Sequence, residues 1–552
     1  MGPVTITRRT FHGGLTALGL SALMAGGSRA AQADPSDLYL NRLTWGATPE
    51  SRSAFRDGGL EAWLDAELAR PAAEPALAKR LASARLWIEY EAGRTDDGTP
   101  WEGRSEARPL GLLEADPATL VALTDYSRAI GYAERTRPAD EVIAAALIRA
   151  VHGAAQLREV MTQFWHDHFS VNALKDETTA ALFPPYDRML RENALGNFRV
   201  LLGEVSKSPP MLHYLNNDVS QASPANENFA RELLELHTLG QENYLNDRFE
   251  RWDEVPGARE GMAAGYIDDD VYEVARAFTG WTIGDGRDIG GGKTTPMTGA
   301  FAYVEEWHDP YQKRILGREF PDHTAPMADG EAVLDLLATH PGTARFVTGK
   351  MLRRLGIEAP TEGYRERVAE AFLAAADAPD QIARTVRAIV LDAEFAATPP
   401  GKLRRPFEFA AALLRATGAE VVPGNAASAN WHLQQAGWTQ HEVRPPTGHS
   451  DRTEDWATTR TITGLANLAL YLHADWMELV KTPLIGAPAP TFGGTAAHWE
   501  HRFGLPPGSL SEAMAAMEAG PGDAMPGDPG GRDWVNSGFV AAAALTPGFL
   551  FR

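Results

Sequence analysis

Cysteine is absent from all 552 residues. Its absence removes disulfides, thiolate zinc sites, iron–sulfur clusters, covalently attached c-type haem and a cysteine nucleophile. Any metal must be held by His, Asp, Glu or carbonyl oxygen, a donor set that suits zinc, manganese, calcium, magnesium or non-haem iron. Long apolar runs are missing too. Beyond the N-terminal segment nothing approaches the roughly 18 residues of a membrane span, so a soluble mature protein with no stable membrane anchor is expected. Positive charge is in short supply: 52 Lys and Arg face 73 Asp and Glu, a net −21, with no basic stripe between aromatics. Nucleic acid is therefore a poor partner, because binding it requires clustered cations. A Gly-x-Ser-x-Gly elbow, a Walker loop, His-Glu-x-x-His, an EF-hand pattern and a haem motif are all lacking. The common serine-hydrolase, NTPase and zincin readings fall away with them.

What is present begins with Arg8-Arg9 inside Thr7-Arg8-Arg9-Thr10-Phe11, followed by a weakly apolar run from Gly13 to Ala25 and by Ala31-Gln32-Ala33 before Asp34. A charged segment, a short apolar segment and a small-x-small cleavage signature in that order define a signal peptide over residues 1–33. Phe11 after the arginine pair makes it a twin-arginine signal. The expectation is passage through the twin-arginine translocase, as an already folded protein, to a periplasmic or extracellular location. The full sequence is 44% hydrophobic and 23% charged, which is globular rather than disordered, and residues 34–552 form the remaining chain.

Periodicity predicts a mainly α protein with a small β-hairpin element. Two amphipathic helices are expected over Asp37 to Ala69, the second opened by Thr48 or Pro49. A helical stretch follows over Asp140 to Val171, with Asp140 as its N-cap after Pro138. Further helices are expected over Asn197 to Leu215, Ala225 to Leu239 with Gly240 as the stop, Asp268 to Trp281, Ala332 to Phe395, Pro406 to Ala416, Thr459 to His473 and Val535 to Leu545. Residues 284–299 and 520–531 read as Gly/Pro-rich surface loops. Phe301 to Phe320 is the one segment expected to supply strands. No βαβ alternation or internal repeat is evident.

Four segments set polar residues among aromatics. In Phe164 to Asn172, His168 falls on the apolar helix face and His166 on the opposite one, so the pair does not form the i, i+4 zinc arrangement. His168 reads as a metal ligand or as a hydrogen-bonded core histidine. In Asn226 to Gly240, Asn228, Glu232 and Glu235 share a narrow arc flanked by Arg231 and Glu227, and two carboxylates at i and i+3 can bracket a metal or a proton-transfer site. The same spacing also builds i, i+4 salt bridges through Arg231. His237 projects to the apolar side unless the last turn changes form. The third segment is Trp307-His308-Asp309-Pro310 with Lys313, where Asp309 either fixes or joins His308 or caps a turn. The fourth runs from Arg404-Arg405 through Trp438 to Pro445-Pro446-Thr447-Gly448-His449-Ser450-Asp451 and Trp456: an anion grip or, more simply, loop anchoring.

These segments, in order, resemble the DUF1800 family of exported bacterial proteins. The resemblance rests on Leu40-Asn41-Arg42-Leu43-Thr44-Trp45-Gly46-Ala47-Thr48-Pro49, FWHDHFSVN at 164–172, NENFARELLELHTLG at 226–240, Asp270 to Trp281, His308-Asp309 and Pro445 to Gly448. The family tends to carry Gly where Tyr311 stands and an aromatic where His449 stands. The resemblance implies a mainly helical single module and a DUF1501-type companion resembling sulfatases and alkaline phosphatases, and it supplies no assigned activity. From the residues, the leading expectation is a metal-dependent enzyme, a hydrolase before an oxidoreductase. His168, Glu232, Glu235 and His308 would be ligands, and Glu232, Glu235 and Asp309 catalytic groups. The rival is a non-catalytic envelope protein that supports the companion, its polar clusters fixing helix packing.

Overall fold

In the computed structural model, residues 34–421, 426–472, 480–481 and 488–552 are described; the twin-arginine segment, the cleavage signature and His473 lie outside them. Helix makes up 57% of the described residues. Among the described residues, strands pair only as two-stranded antiparallel sheets, so the fold is mainly α. No described helix is long and apolar enough to cross a membrane.

The N-terminal pair forms as its sequence predicts. Ser36–Leu43 precedes Pro49–Ala69, and Thr48 caps the latter by accepting from the Ser51 amide at 3.1 Å while Ser51 Oγ accepts from the Thr48 amide. Asp140, by contrast, caps nothing. Its helix runs Tyr132–His152 straight through Pro138, with Gly131 at the N-cap. Tertiary anchoring overrides the local proline signal: buried Arg135 donates to the carbonyls of Leu123, Asp125 and Arg128 and pins the first turn. The strand content is also wider than expected. Arg85–Tyr90 pairs with Arg104–Pro109, its residues alternating between exposed and buried, and Trp281–Asp285 pairs with Met297–Tyr303. The glycine-rich 284–299 stretch thus closes a hairpin instead of a plain loop. Lys313–Ile315 with Arg318–Phe320 supplies the strands expected near 301–320. Near the C-terminus, Asp528 caps Pro529–Ala544, so that helix begins inside the segment read as a loop.

A contiguous hydrophobic cluster runs from Leu43 to Phe551. At its centre lies Gln156–Phe169, packed against Pro49–Ala69, Tyr132–His152 and Phe183–Asn193. All its residues except Arg158 and Asp167 are buried. A helix covered on every side has no solvent face, which is why both histidines of FWHDHF are inside despite pointing in opposite directions.

Beside that helix sits a buried charge cluster. Arg405, at the N-cap of Pro406–Thr417, donates from Nη1 to Asp167 Oδ2 at 2.8 Å and from Nε to Glu408 Oε1 at 3.0 Å, and lies over the Trp438 ring at 5.0 Å. Glu408 Oε1 also accepts from Arg354 at 2.5 Å and Arg552 at 3.0 Å. Burial pushes the Glu408 carboxyl up, but Arg552, Arg405 and Lys402 overcome it and hold the carboxyl at about 2. The loop carrying Pro445 to Asp451 rests on the end of the central helix. Gly448 there has φ +73°, and a Cβ at that position would fall on the Asp167 carbonyl oxygen.

Glu408→Ala removes the carboxylate that three guanidinium groups share and is expected to cost roughly 3–5 kcal/mol of stability in urea unfolding. Because the folded pKa lies below the ordinary carboxylate value of 4.5, this stabilisation is complete above that value. It disappears as pH falls toward about 2, so the gap between variant and wild type closes in acid. Gly448→Ala is expected to lose at least about 1 kcal/mol from the left-handed backbone alone, with faster amide exchange confined to 445–451.

Candidate functional site

The central helix, the helix Pro341–Arg354 and the Pro445–Asp451 loop enclose a cavity of about 180 Å³. Phe164, Asp167 and His168 form one wall, Lys350 and Arg353 a second, and Thr447, His449, Ser450, Asp451 and Arg452 the third. Two of the four polar segments thus meet here, joined by a helix that carried no motif.

His168 is 1% exposed. Its Nε2 lies 3.1 Å from the His237 carbonyl; a carbonyl only accepts, so Nε2 carries the proton and Nδ1 is a bare lone pair. That Nδ1 is buried and has no hydrogen-bond partner. Burial, Lys350 and His237 together hold the ring well below the ordinary histidine range, so it is neutral. Lys350 Nζ lies over the Phe346 ring at 5.3 Å. Burial lowers its ammonium to about 8, against the pull of Asp167 and Asp451.

The cations of this cavity crowd one another. Arg353 is lowered by burial and next by the charge of Arg452, and Arg353 in turn lowers Lys350. The two carboxylates on the wall are already engaged: Asp167 by Arg405 and by Gln163 Nε2 at 3.0 Å, Asp451 by Lys402 Nζ at 2.8 Å. Three mutually repelling cations around a neutral imidazole form a place where an anion is favoured. His449 is fixed at the rim, stacked on Trp438 with ring centroids 3.8 Å apart and donating from Nε2 to the Thr439 carbonyl.

His166 serves another cluster. Its Nε2 lies 3.0 Å from Asp187 Oδ1, and Asp187 also accepts from Arg149 at 2.9 Å and Arg191 at 3.1 Å. Burial raises the Asp187 carboxyl, but Arg191 and Arg149 bring it well below the ordinary range. The His441 ring packs on His166 at 4.1 Å.

The NENFARELLELHTLG segment begins as α-helix over Glu227–Glu232 and continues as a π-turn over Leu233–Thr238, ending at Gly240 with φ +90°. The wider turn leaves His237 packed on Phe169 and His168, with ring centroids 5.2 and 6.2 Å apart. Burial, then Lys350, lowers His237 to about 3. Glu232 and Glu235 face a different neighbourhood, that of Tyr214 and Tyr266. Burial and then Glu235 raise the Glu232 carboxyl. Arg231 pairs with Asp268 at 3.3 Å and Glu227 at 3.5 Å, and Asn228 Nδ2 donates to the Leu215 carbonyl at 3.2 Å.

His308, Asp309 and Lys313 form a closed knot of their own. His308 Nδ1 meets the Thr279 carbonyl at 3.1 Å and Nε2 meets Asp329 at 3.3 Å, while Lys313 Nζ meets Asp329 at 2.7 Å and donates to the Asp309 carbonyl at 2.7 Å. Asp309 holds Arg276 through two bonds of 2.8 and 3.0 Å. The expected ligands are therefore distributed over three neighbourhoods: His168 with His237, Glu232 with Glu235, and His308 with Asp329. Among the described residues no three His, Asp or Glu side chains gather as a metal would need. Sequence reasoning missed Lys350 and Arg353. Their one signal is a basic run, Lys350-Met351-Leu352-Arg353-Arg354, in an acidic chain, and at a helix C-terminus such a run reads as ordinary dipole pairing.

No curated protein and no solved structure matches the chain. The family DUF1800, described as a protein of unknown function, matches residues 38–524. That span takes in the central helix, the π-turn, the His308 knot and the cavity loop, and the chain belongs to the DUF1800 family.

Proposed function

We propose that the protein is an exported hydrolase whose active site is the cavity at His168 and whose substrate carries a negative charge there. The observation that supports this reading most is the buried, unpaired Nδ1 of a neutral His168 in a cavity ringed by Lys350, Arg353 and Arg452. A buried acceptor without a partner costs free energy, and such atoms concentrate where a substrate or water completes them. The surrounding cations disfavour a further positive ion, so the reading moves from the metal-centred hydrolysis expected from the sequence to acid–base hydrolysis.

In this mechanism His168 Nδ1 accepts a proton from the attacking water, while its Nε2–H stays anchored on the His237 carbonyl and fixes the ring. The low basicity of the buried ring is offset when an anion enters, because imidazolium then gains a counter-charge. Lys350, as the ammonium, delivers a proton to the leaving group. Arg353 and Arg452 neutralise charge that grows on the substrate in the transition state. Residues 1–33 supply the export route through the twin-arginine translocase.

Turnover of p-nitrophenyl phosphate, sulfate and carboxylate-bearing esters tests the reading. His168→Gln is expected to lower kcat/KM by at least about 100-fold on whichever ester is turned over. Activity is expected to be flat down to pH 5, since His168 stays neutral, and to fall above about pH 8 as Lys350 loses its proton. Lys350→Arg keeps the charge but is a poor proton donor, so it is expected to lower kcat and to remove that limb. A folded His168→Gln variant with wild-type kcat/KM would contradict the assignment.

A further inference from the structure

The helix that supplies Lys350 and Arg353 to the cavity also walls a second depression. Its first turns line a groove of about 560 Å³ together with Pro256, Met262 and Arg365. Groove and cavity open on the same face of that helix. From Gly342 to Arg353 its unburied positions are Gly342, Arg345, Phe346, Gly349, Lys350 and Arg353, a three- and four-residue spacing that draws one stripe along it. Gly342 and Arg345 line the groove, Lys350 and Arg353 the cavity. Between Arg345 and Arg353 the stripe runs about 12 Å, at 1.5 Å per residue.

The stripe is cationic at both ends and neutral between them. At the groove, Arg345 is paired with Glu362, whereas Arg365 has no ion-pair partner among the described residues. At the cavity stand Lys350, Arg353 and Arg452. The middle is Phe346 and Gly349. A Cβ added at Gly349 would meet nothing within 4 Å. Glycine inside a helix costs stability relative to alanine, and no packing contact requires it at this position. It leaves a passage free of side chains between groove and cavity.

We propose that this stripe seats an acidic glycan, a chain of neutral and charged sugars bearing uronate or sulfate groups. Its reacting unit lies in the cavity, and a second charged unit lies about 12 Å along the helix, at Arg365. The choice of reacting end rests on the hydrolase reading; the binding does not require turnover. Charge complementarity asks for an anion at each end, and the neutral middle asks for charges that are widely spaced. A dense polyanion such as polyphosphate would set charge over Phe346 and Gly349, where no cation answers it. Glu242, which also lines the groove, opposes dense negative charge as well. An extended peptide would bring backbone N–H and C=O groups that need partners, and a helix backbone is bonded to itself. Sugar hydroxyls in an open groove keep their water.

The experiment is calorimetric titration of oligogalacturonates and heparin-derived oligosaccharides of increasing length into the mature protein and its His168→Gln variant. Polyglutamate and polyphosphate are titrated alongside. Oligomers that reach both ends are expected to bind at least about tenfold more tightly than the monosaccharide, because the second contact is made within the complex. Arg365→Ala and Gly349→Glu alter unburied positions. Each is expected to keep the parent's circular dichroism and melting while removing the gain with length. Length-dependent binding of uronate or sulfated oligomers that both variants weaken supports the glycan site, even in a protein that turns over no ester. Turnover of small esters without such binding leaves the hydrolase reading standing and overturns this one. Tighter binding of polyglutamate or polyphosphate, or undiminished affinity in the folded variants, overturns it too.

Discussion

One buried guanidinium governs the geometry of the site. Arg405 lies inside the protein, where an unpaired charge is prohibitive, and it satisfies itself only by drawing three carboxylates toward one point. Asp167 comes from the end of the central helix, Glu408 from the first turn of the helix that Arg405 opens, and Asp451 from the cavity loop, 3.6 Å away. The indole of Trp438 covers the guanidinium and is itself covered by His449. Removing any arm would leave charge uncompensated, so helix end, loop and rim are held in one arrangement. The cavity is the space that this arrangement leaves.

The same cluster explains why Lys350 and Arg353 are not neutralised; Arg452, at the exposed edge, meets Glu454 Oε1 at 3.4 Å. The carboxylates that line the cavity with them, Asp167 and Asp451, are engaged by Arg405 and Lys402. In a chain with net charge −21, a local excess of cations requires this kind of partition. The Glu232–Glu235 pair shows the opposite partition: one carboxylate ends the α-helix, the other lies in the π-turn, and the adjacent Arg231 is engaged by Asp268 and Glu227.

The fold class was legible because helical periodicity and end signals such as the Thr48 cap and the Gly240 stop are local. The hairpin at Arg85–Tyr90 was legible in principle, through its alternation, but was obscured by the charged loops around it. The Tyr132 start was not, since buried Arg135 secures that helix by contacts made only in the folded protein. For the site, the FWHDHF and Pro-Pro-Thr-Gly segments were marked by their aromatic and polar density. Which side chains would meet was hidden. His166 and His168 differ in face but not in burial, because the helix has no exposed face, and His237 reaches Phe169 through a π-turn that no sequence pattern specified. Lys350 belongs to a helix whose end looks like any basic C-terminus.

The account turns on the state of one imidazole. Histidine-selective 15N NMR of the mature protein, followed from pH 8 to pH 5, reads it directly. The expected result is a His168 ring protonated at Nε2, bare at Nδ1, and without titration across that range. A His168 signal that titrates near the ordinary histidine value of 6.5, or one that carries its proton on Nδ1, would contradict it.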